Sequence, residues 1–209
     1  MPTADVKPTR SELLEIKKKI KLTKSGYKIL KMKRDGLILE FFKILEQAKG
    51  IREKVNHDYQ EAMERIAVAK AVDGAIAVQS ASFALKVHPE LSLRSKNIMG
   101  IVVPEIEATA IRVPMDKRGY GVIGTSVYID EAAKSFESLI ETVIEAAEIE
   151  TTMKKLLDEI EKTKRRVNAL EFKVIPELEE AQAFIRLRLE EMERENTFRL
   201  KRIKQKAEA

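Results

Sequence analysis

Along the first third of the chain, apolar residues recur at alternating spacings of three and four. Leu13, Ile16, Ile20, Tyr27, Leu30 and Leu37 share one frame, with Thr23 at the remaining position. Ile38, Phe41, Leu45, Ala48, Val55, Tyr59, Ala62, Ile66 and Ala69 form a second frame, whose one polar position is Arg52. This spacing keeps a narrow apolar stripe on one face of a helix. The step from Tyr27 to Ile38 reads as a stutter, which locally unwinds a left-handed supercoil. No proline falls between Ser11 and Val72, Thr9 or Ser11 is placed to cap the start, and Glu12 and Glu15 suit the first turns. Gly26, Gly36 and Gly50 each cost roughly 1 kcal/mol against alanine in a helix. Asp35-Gly36 also has turn character, but the apolar frame resumes at once, so one unbroken helix is expected.

A second helical pattern runs from about Asp130, a plausible N-cap, to Lys206. Its stripe is Met153, Leu157, Ile160, Val167, Val174, Leu178, Ala181, Ile185 and Met192, interrupted by Lys164, Glu171 and Arg188. Pro176 lies inside the stripe and removes a backbone donor. The pattern continues beyond it for several turns, which predicts a kink rather than an end. The stretch 74–129 differs: it holds five glycines together with Pro89, Pro104 and Pro114. Leu91–Met99 and Ile101–Ile111 read as two short strands of a hairpin, with a turn near Asn97–Gly100 or Val103–Pro104. Gly74–Phe83, small and apolar, reads as either a short helix or an extended piece.

The expected organisation is therefore 1–73 as an N-terminal coiled-coil helix, 74–129 as a connector with a short β-hairpin, and 130–209 as a C-terminal coiled-coil helix. The fold class is mostly α: a long antiparallel two-helix coiled coil with a small central β-hairpin region. A long helix with a narrow stripe cannot bury that stripe alone, and the nearest partner is the other helix. With a compact connector between them the pair is antiparallel, and equal rise makes facing residue numbers sum to roughly 203. Leu13 is then expected near residue 190 and Tyr59 near Ile144. The pair reads as one rod with both termini at one end. A two-stranded hairpin is marginal alone, so it is expected to lean on the coiled coil or on another protein.

Charge changes this picture. The 209 residues carry 39 Lys and Arg against 34 Asp and Glu, a net charge of +5, and 35% of the chain is charged. Both ends are basic and the middle is acidic. Between Lys17 and Arg34, half of the residues are basic and none is acidic. Such a block is either a solvated or protein-facing helix face or a phosphate-binding patch. Nucleic acid is the weaker choice, because stacking aromatics and known nucleic-acid motifs are missing.

Composition also excludes chemistry. With no cysteine there is no disulfide, thiolate metal site or cysteine nucleophile. The two histidines, His57 and His88, have no triad or metal-ligand spacing around them. No apolar run approaches the roughly 20 residues that span a bilayer, and the first residues lack a signal-peptide core. A soluble cytoplasmic protein is expected. Gly119-Tyr-Gly-Val-Ile-Gly124 matches G-x-G-x-x-G, with Thr109–Val113 as a possible strand before it. A dinucleotide fold needs that strand in a parallel sheet, and the chain after Gly124 reads as helix to its end. Catalytic residues, cofactor and metal are all expected to be none.

Several segments resemble one family. Pro8-Thr9-Arg10, the following Leu/Lys run, and Gly26 with Leu30-Lys31-x-Lys33-Arg34-Asp35 resemble the N-terminal signature of the D subunit of archaeal A-type and related V-type ATP synthases. Asn97–Pro104 is similar to the central segment of that family. The stretches from Thr163 to Pro176 and from Glu190 to Lys201 resemble its C-terminal helix.

The resemblance implies a non-catalytic central-stalk rotor subunit, peripheral on the cytoplasmic side of the membrane. It implies partners as well: the catalytic A and B subunits, the small F subunit of the stalk and the membrane-facing C subunit of the stalk. Candidate partner-facing residues are Lys28, Lys31, Arg34, Arg188, Arg199 and Lys201 at the basic end, and Ile98, Met99, Val102 and Val103 in the hairpin. The competing readings are a coiled-coil adaptor, a nucleic-acid-binding coiled coil and an autonomous enzyme. Salt-dependent binding, the absence of an obligate small partner, or turnover by the purified chain would discriminate among them.

Overall fold

A computed structural model describes residues 7–85, 89–109, 111–114, 118–121 and 125–207. In order along the chain come helix α1 (Arg10–Asp73), helix α2 (Ala75–Ala84), strands β1 (Glu90–Ile98) and β2 (Ile101–Thr109), helix α3 (Val127–Ala169) and helix α4 (Ile175–Ala207). A π-helical turn, Leu170–Val174, joins α3 to α4. The chain divides into two compact units: Met1–Gly36 with Ile160–Ala209, and Leu37–Glu159.

Helix α1 is continuous through Gly26, Gly36 and Gly50. Thr9 caps it, its Oγ1 accepting the Glu12 N–H at 3.2 Å. The predicted stutter is absent. Two unbroken seven-residue series run down one face: Ile16, Thr23, Leu30, Leu37, Ile44, Ile51, Asp58, Arg65, and Ile20, Tyr27, Arg34, Phe41, Ala48, Val55, Ala62, Ala69. Every member is buried or half-buried. Arg34, Asp58 and Arg65 keep the frame although they are charged. A reading that follows apolar residues alone therefore slips to their neighbours: Ile51 faces inward rather than Arg52, and Asp58 rather than Tyr59.

The second stripe needs the same correction. Leu156 is 0% exposed while Leu157 is 47% exposed. Thr163 is buried in place of Lys164, and Leu170 is half-buried where Glu171 is exposed. Three threonines, Thr142, Thr152 and Thr163, are buried. Arg188 and Met192 are exposed.

The π turn accounts for both Pro176 and a phase change. The Ile175 N–H donates to the Leu170 carbonyl, five residues back. A proline ring clashes with the carbonyl four residues before it, and widening that turn makes room. The helix continues, and it carries one extra residue. The inward series Thr142, Ile149, Leu156, Thr163, Leu170 steps by seven, whereas Leu178 follows Leu170 by eight.

In the first unit the helices run antiparallel. Arg10 pairs with Glu193 at 2.6 Å and Lys24 with Glu179 at 2.7 Å, both on a sum of 203. The core there is Ile16, Ile20, Ala181 and Ile185, flanked by Leu13, Leu178, Phe184 and Leu189. All residues of α4 from Glu190 to Ala207 are exposed.

In the second unit α1 and α3 are also antiparallel. Arg52 meets Glu150 at 3.5 Å and Arg65 meets Glu131 at 2.9 Å. The Thr142 hydroxyl donates to the Asp58 carboxylate at 2.7 Å. That bond places Tyr59 about a turn away from the predicted Ile144. One core cluster is Ala69, Ala81, Ile129 and Ala132, with Ile66, Val78 and Tyr120 against it, and Leu37, Leu139 and Leu156 are buried elsewhere in the unit.

Gly74 ends α1 with φ +84°, and α2 departs at 115°. The short-helix alternative for Gly74–Phe83 is thus the correct one. Strand β1 pairs antiparallel with β2 in a single register, Ile98 opposite Ile101. Met99 (φ 51°) and Gly100 (φ 89°) make the two-residue loop, so the turn lies at Asn97–Gly100 and not at Val103–Pro104. Two positive φ angles match the tight loop that suits the strand twist. Helix α3 starts at Val127, before the predicted cap Asp130. Ser126 takes the cap role instead, its Oγ accepting the Tyr128 N–H at 3.2 Å.

Candidate interaction surfaces

No single helix among the described residues is long and apolar enough to cross a membrane. No group of three or more His, Asp or Glu among them is placed to hold a metal ion. The glycine motif does not sit on a parallel sheet: the only described sheet has two antiparallel strands. Val122–Gly124 and His88 lie outside the described residues. His57 is exposed, with Nδ1 3.6 Å from Asp58 Oδ1.

The first unit presents the basic surface. Lys28 and Lys31 are exposed on α1, and the Lys31 ammonium lies over the Tyr27 ring at 5.7 Å. Arg34 is different. It sits in the inward series and bonds the Asp35 carboxylate through two nitrogens, at 2.9 and 2.8 Å. On α4, Arg188 stacks over Phe184 at 5.8 Å and pairs with Glu191 at 3.1 Å. Arg199 lies 3.6 Å from Glu195, and Lys201 is exposed. Exposed Phe198, Leu200 and Ile203 stand among these basic residues. Surface ion pairs of this kind contribute little stability, so most of the positive charge remains available to a partner.

The second unit carries the hairpin. Of the four predicted contact residues, Met99 and Val102 are exposed and Ile98 is half-buried, while Val103 is only 2% exposed. The hairpin is tied to α3 through β2. Lys155 Nζ donates to the Val102 carbonyl at 3.0 Å, and the Ile106 N–H donates to Glu148 at 3.2 Å.

Sequence reading missed a polar knot at the base of this unit. The Arg118 side chain is 2% exposed. It donates to the Val113 carbonyl at 3.1 Å, to Asp130 at 3.2 Å and to Glu137 at 3.0 Å. The Tyr120 hydroxyl donates to Asp130 at 2.7 Å. Burial alone would lower the Arg118 pKa, but Tyr120, Glu137 and Asp130 outweigh it and the pKa is raised. Burial, then the bond to Asp130, raises the Tyr120 pKa. Nearby, Arg112 holds Glu141 with two bonds of 2.9 and 2.8 Å, which raises its own pKa. These contacts pin the returning segment onto α3. The signal was Arg118, in a Gly/Pro-rich stretch that also holds Arg112, with Asp130 and Glu137 seven residues apart on the next helix.

The comparisons with known proteins agree along nearly the whole chain. The family described as the D subunit of ATP synthase matches residues 12–205. The A-type ATP synthase D subunit of Methanococcoides burtonii is 66% identical over 204 residues, covering 98% of this chain and 99% of the relative. Proteins of the same name from Methanosarcina mazei, 61% identical, and Haloarcula marismortui, 55% identical, cover 98% and 97% of this chain and 98% and 88% of themselves. A paired-helix protein with this much shared sequence belongs to the D-subunit family of the A-type ATP synthase.

Proposed function

We propose that the chain is the non-catalytic central-stalk rotor subunit of an A-type ATP synthase. It transmits torque between the membrane rotor ring and the catalytic A/B hexamer during ATP synthesis or ATP-driven ion transport. Residues 1–73 and 130–209 serve as the paired arms, and 74–129 as the docking element. The basic surface of the first unit meets acidic groups of the A and B subunits. The second unit, with its hairpin, meets the small F subunit and the C subunit of the stalk. The complex holds the chain at the cytoplasmic face of the membrane without inserting it.

One observation carries this reading. In both units the two arms pair antiparallel, through Arg10–Glu193 and Lys24–Glu179 in one and Arg52–Glu150 and Arg65–Glu131 in the other. Two helices held side by side resist twisting about each other, as a part that carries force requires, and two helices lack threefold symmetry.

The test is charge reversal at exposed positions only: Lys28→Glu, Lys31→Glu, Arg199→Glu and Lys201→Glu together. Arg34 is left intact because it faces inward. At low salt the variant is expected to lose assembly with the A and B subunits, or to hydrolyse ATP without pumping ions. Unchanged assembly and coupling would show that the basic surface has no such role.

A further inference from the structure

The two long edges of the hairpin differ in a way that points to an occupant for one of them. Because the loop has two residues, Ile98 and Ile101 exchange both backbone hydrogen bonds, and pairs alternate from there. Val102, Pro104, Ile106 and Ala108 therefore turn their backbone polar groups away from β1. Helix α3 covers that edge, with Lys155 on the Val102 carbonyl and Glu148 on the Ile106 N–H. Pro104 has no N–H to satisfy.

On β1 the corresponding residues are Leu91, Leu93, Ser95 and Asn97. Their outward N–H and C=O groups have no hydrogen-bond partner among the described residues, and every residue of β1 except Ile98 is exposed. Leu91 and Leu93 lie on one face, Leu93 72% exposed. Arg94 and Lys96 lie on the other. Arg94 is taken by Glu107 at 2.8 Å, whereas Lys96 has no ion-pair partner among the described residues.

Proteins blunt a free edge with proline, a bulge, brevity or charge, lysine above all. This edge has nine residues in uninterrupted register and no proline, and Lys96, without an ion-pair partner among the described residues, turns away any added strand that does not bring a carboxylate to it.

We propose that the outer edge of β1 is a strand-addition site. It accepts an extended segment of a partner protein in the complex, apolar at alternate positions over Leu91 and Leu93, with a carboxylate opposite Lys96. Main-chain bonds supply affinity and the alternating side chains supply selectivity. The site deepens the assembly reading above and rests on it.

Hydrogen exchange of the full chain, alone and in the assembled ATP synthase, tests the proposal. In the free chain the amides of Ser92, Arg94 and Lys96 are shielded by β2, and those of Leu91, Leu93, Ser95 and Asn97 exchange freely. Assembly is expected to slow the second set by roughly tenfold or more. Ser95→Pro deletes one outward donor and leaves every hairpin bond in place. It is expected to reduce occupancy of one partner protein about tenfold, with the A and B subunits still bound, while Ser95→Ala has no effect.

Equally fast exchange in the complex, or full occupancy with Ser95→Pro, overturns the proposal while leaving the stalk reading intact. A dimer of the isolated chain that Ser95→Pro dissolves would assign the edge to a second copy and also overturns it. Failure of the unmodified chain to join any complex would remove the stalk reading itself.

Discussion

The two units solve the same problem, pairing two long helices, with different materials. In the first, aliphatic side chains do it: Ile16, Ile20 and Ile185 with Ala181. In the second, the cluster around α2 is mostly alanine, at Ala69, Ala81 and Ala132, while Leu37, Leu139 and Leu156 are buried farther along the pair. Small side chains bring helices close but remove less apolar area from water, so they supply less free energy. The second unit adds buried directional contacts: Asp58 with Thr142, and the Arg118 knot. Aliphatic contact tolerates sliding, whereas a buried hydrogen bond fixes register because an unpaired polar group inside is costly. Aliphatic area thus binds both units, and in the second buried polar contacts also fix the register.

Breaking the knot should have the largest effect. Arg118→Met leaves Asp130 and Glu137 without their cation and should cost roughly 3–5 kcal/mol. Urea unfolding would show it as a lower midpoint. An equal loss at an exposed arginine such as Arg165 would contradict the distinction.

The seam can be tested at adjacent residues. Leu156→Ala should cost about 3 kcal/mol, and Leu157→Ala less than about 1. Reversal of that order in calorimetry would restore the apolar-only frame.

Glycines give a smaller contrast. Gly74→Ala forces a side chain into a backbone region nearly reserved for glycine and should cost roughly 2 kcal/mol. Gly50 has open space, with nothing within 4 Å, where a Cβ would sit, and Gly50→Ala should add about 1 kcal/mol. Thermal melting of the two variants should move in opposite directions.

The weakest effect is with pH. The raised Tyr120 pKa means that the folded state holds the phenol proton more tightly than the unfolded chain does. Its stabilisation is complete below the ordinary tyrosine value near 10 and fades as pH rises past it. Stability should therefore be flat from about pH 7 to 9 and decline above 10, and Tyr120→Phe should flatten that decline.

The gross architecture was legible in the sequence because period and proline placement are local signals. Helices, hairpin, loop position and antiparallel sense could all be read from spacing, glycine positions and chain return. The exact inward face could not. Asp58 and Thr142 look like solvent residues until each meets the other across the two helices, 84 residues apart along the chain. The Arg118 knot was hidden for the same reason: its bonds join a glycine-rich connector to Asp130 and Glu137, whose spacing on the helix marks one face without naming the cation that fills it. The hairpin residues were found, but which of them face outward depended on how β2 leans on α3.

The π turn at Leu170–Val174 has a consequence for how such chains change over generations. A heptad is a counting rule, and adding one residue to a strict α-helix would swing everything downstream by about 100°. Leu178, Ala181 and Ile185 would then point to water and the helices would come apart. The widened turn swallows the surplus residue within five positions, and the count restarts in step. Paired helices built this way tolerate an odd insertion without unzipping, and any comparison that slides relatives along a rigid seven-residue ruler will misplace every contact past residue 174.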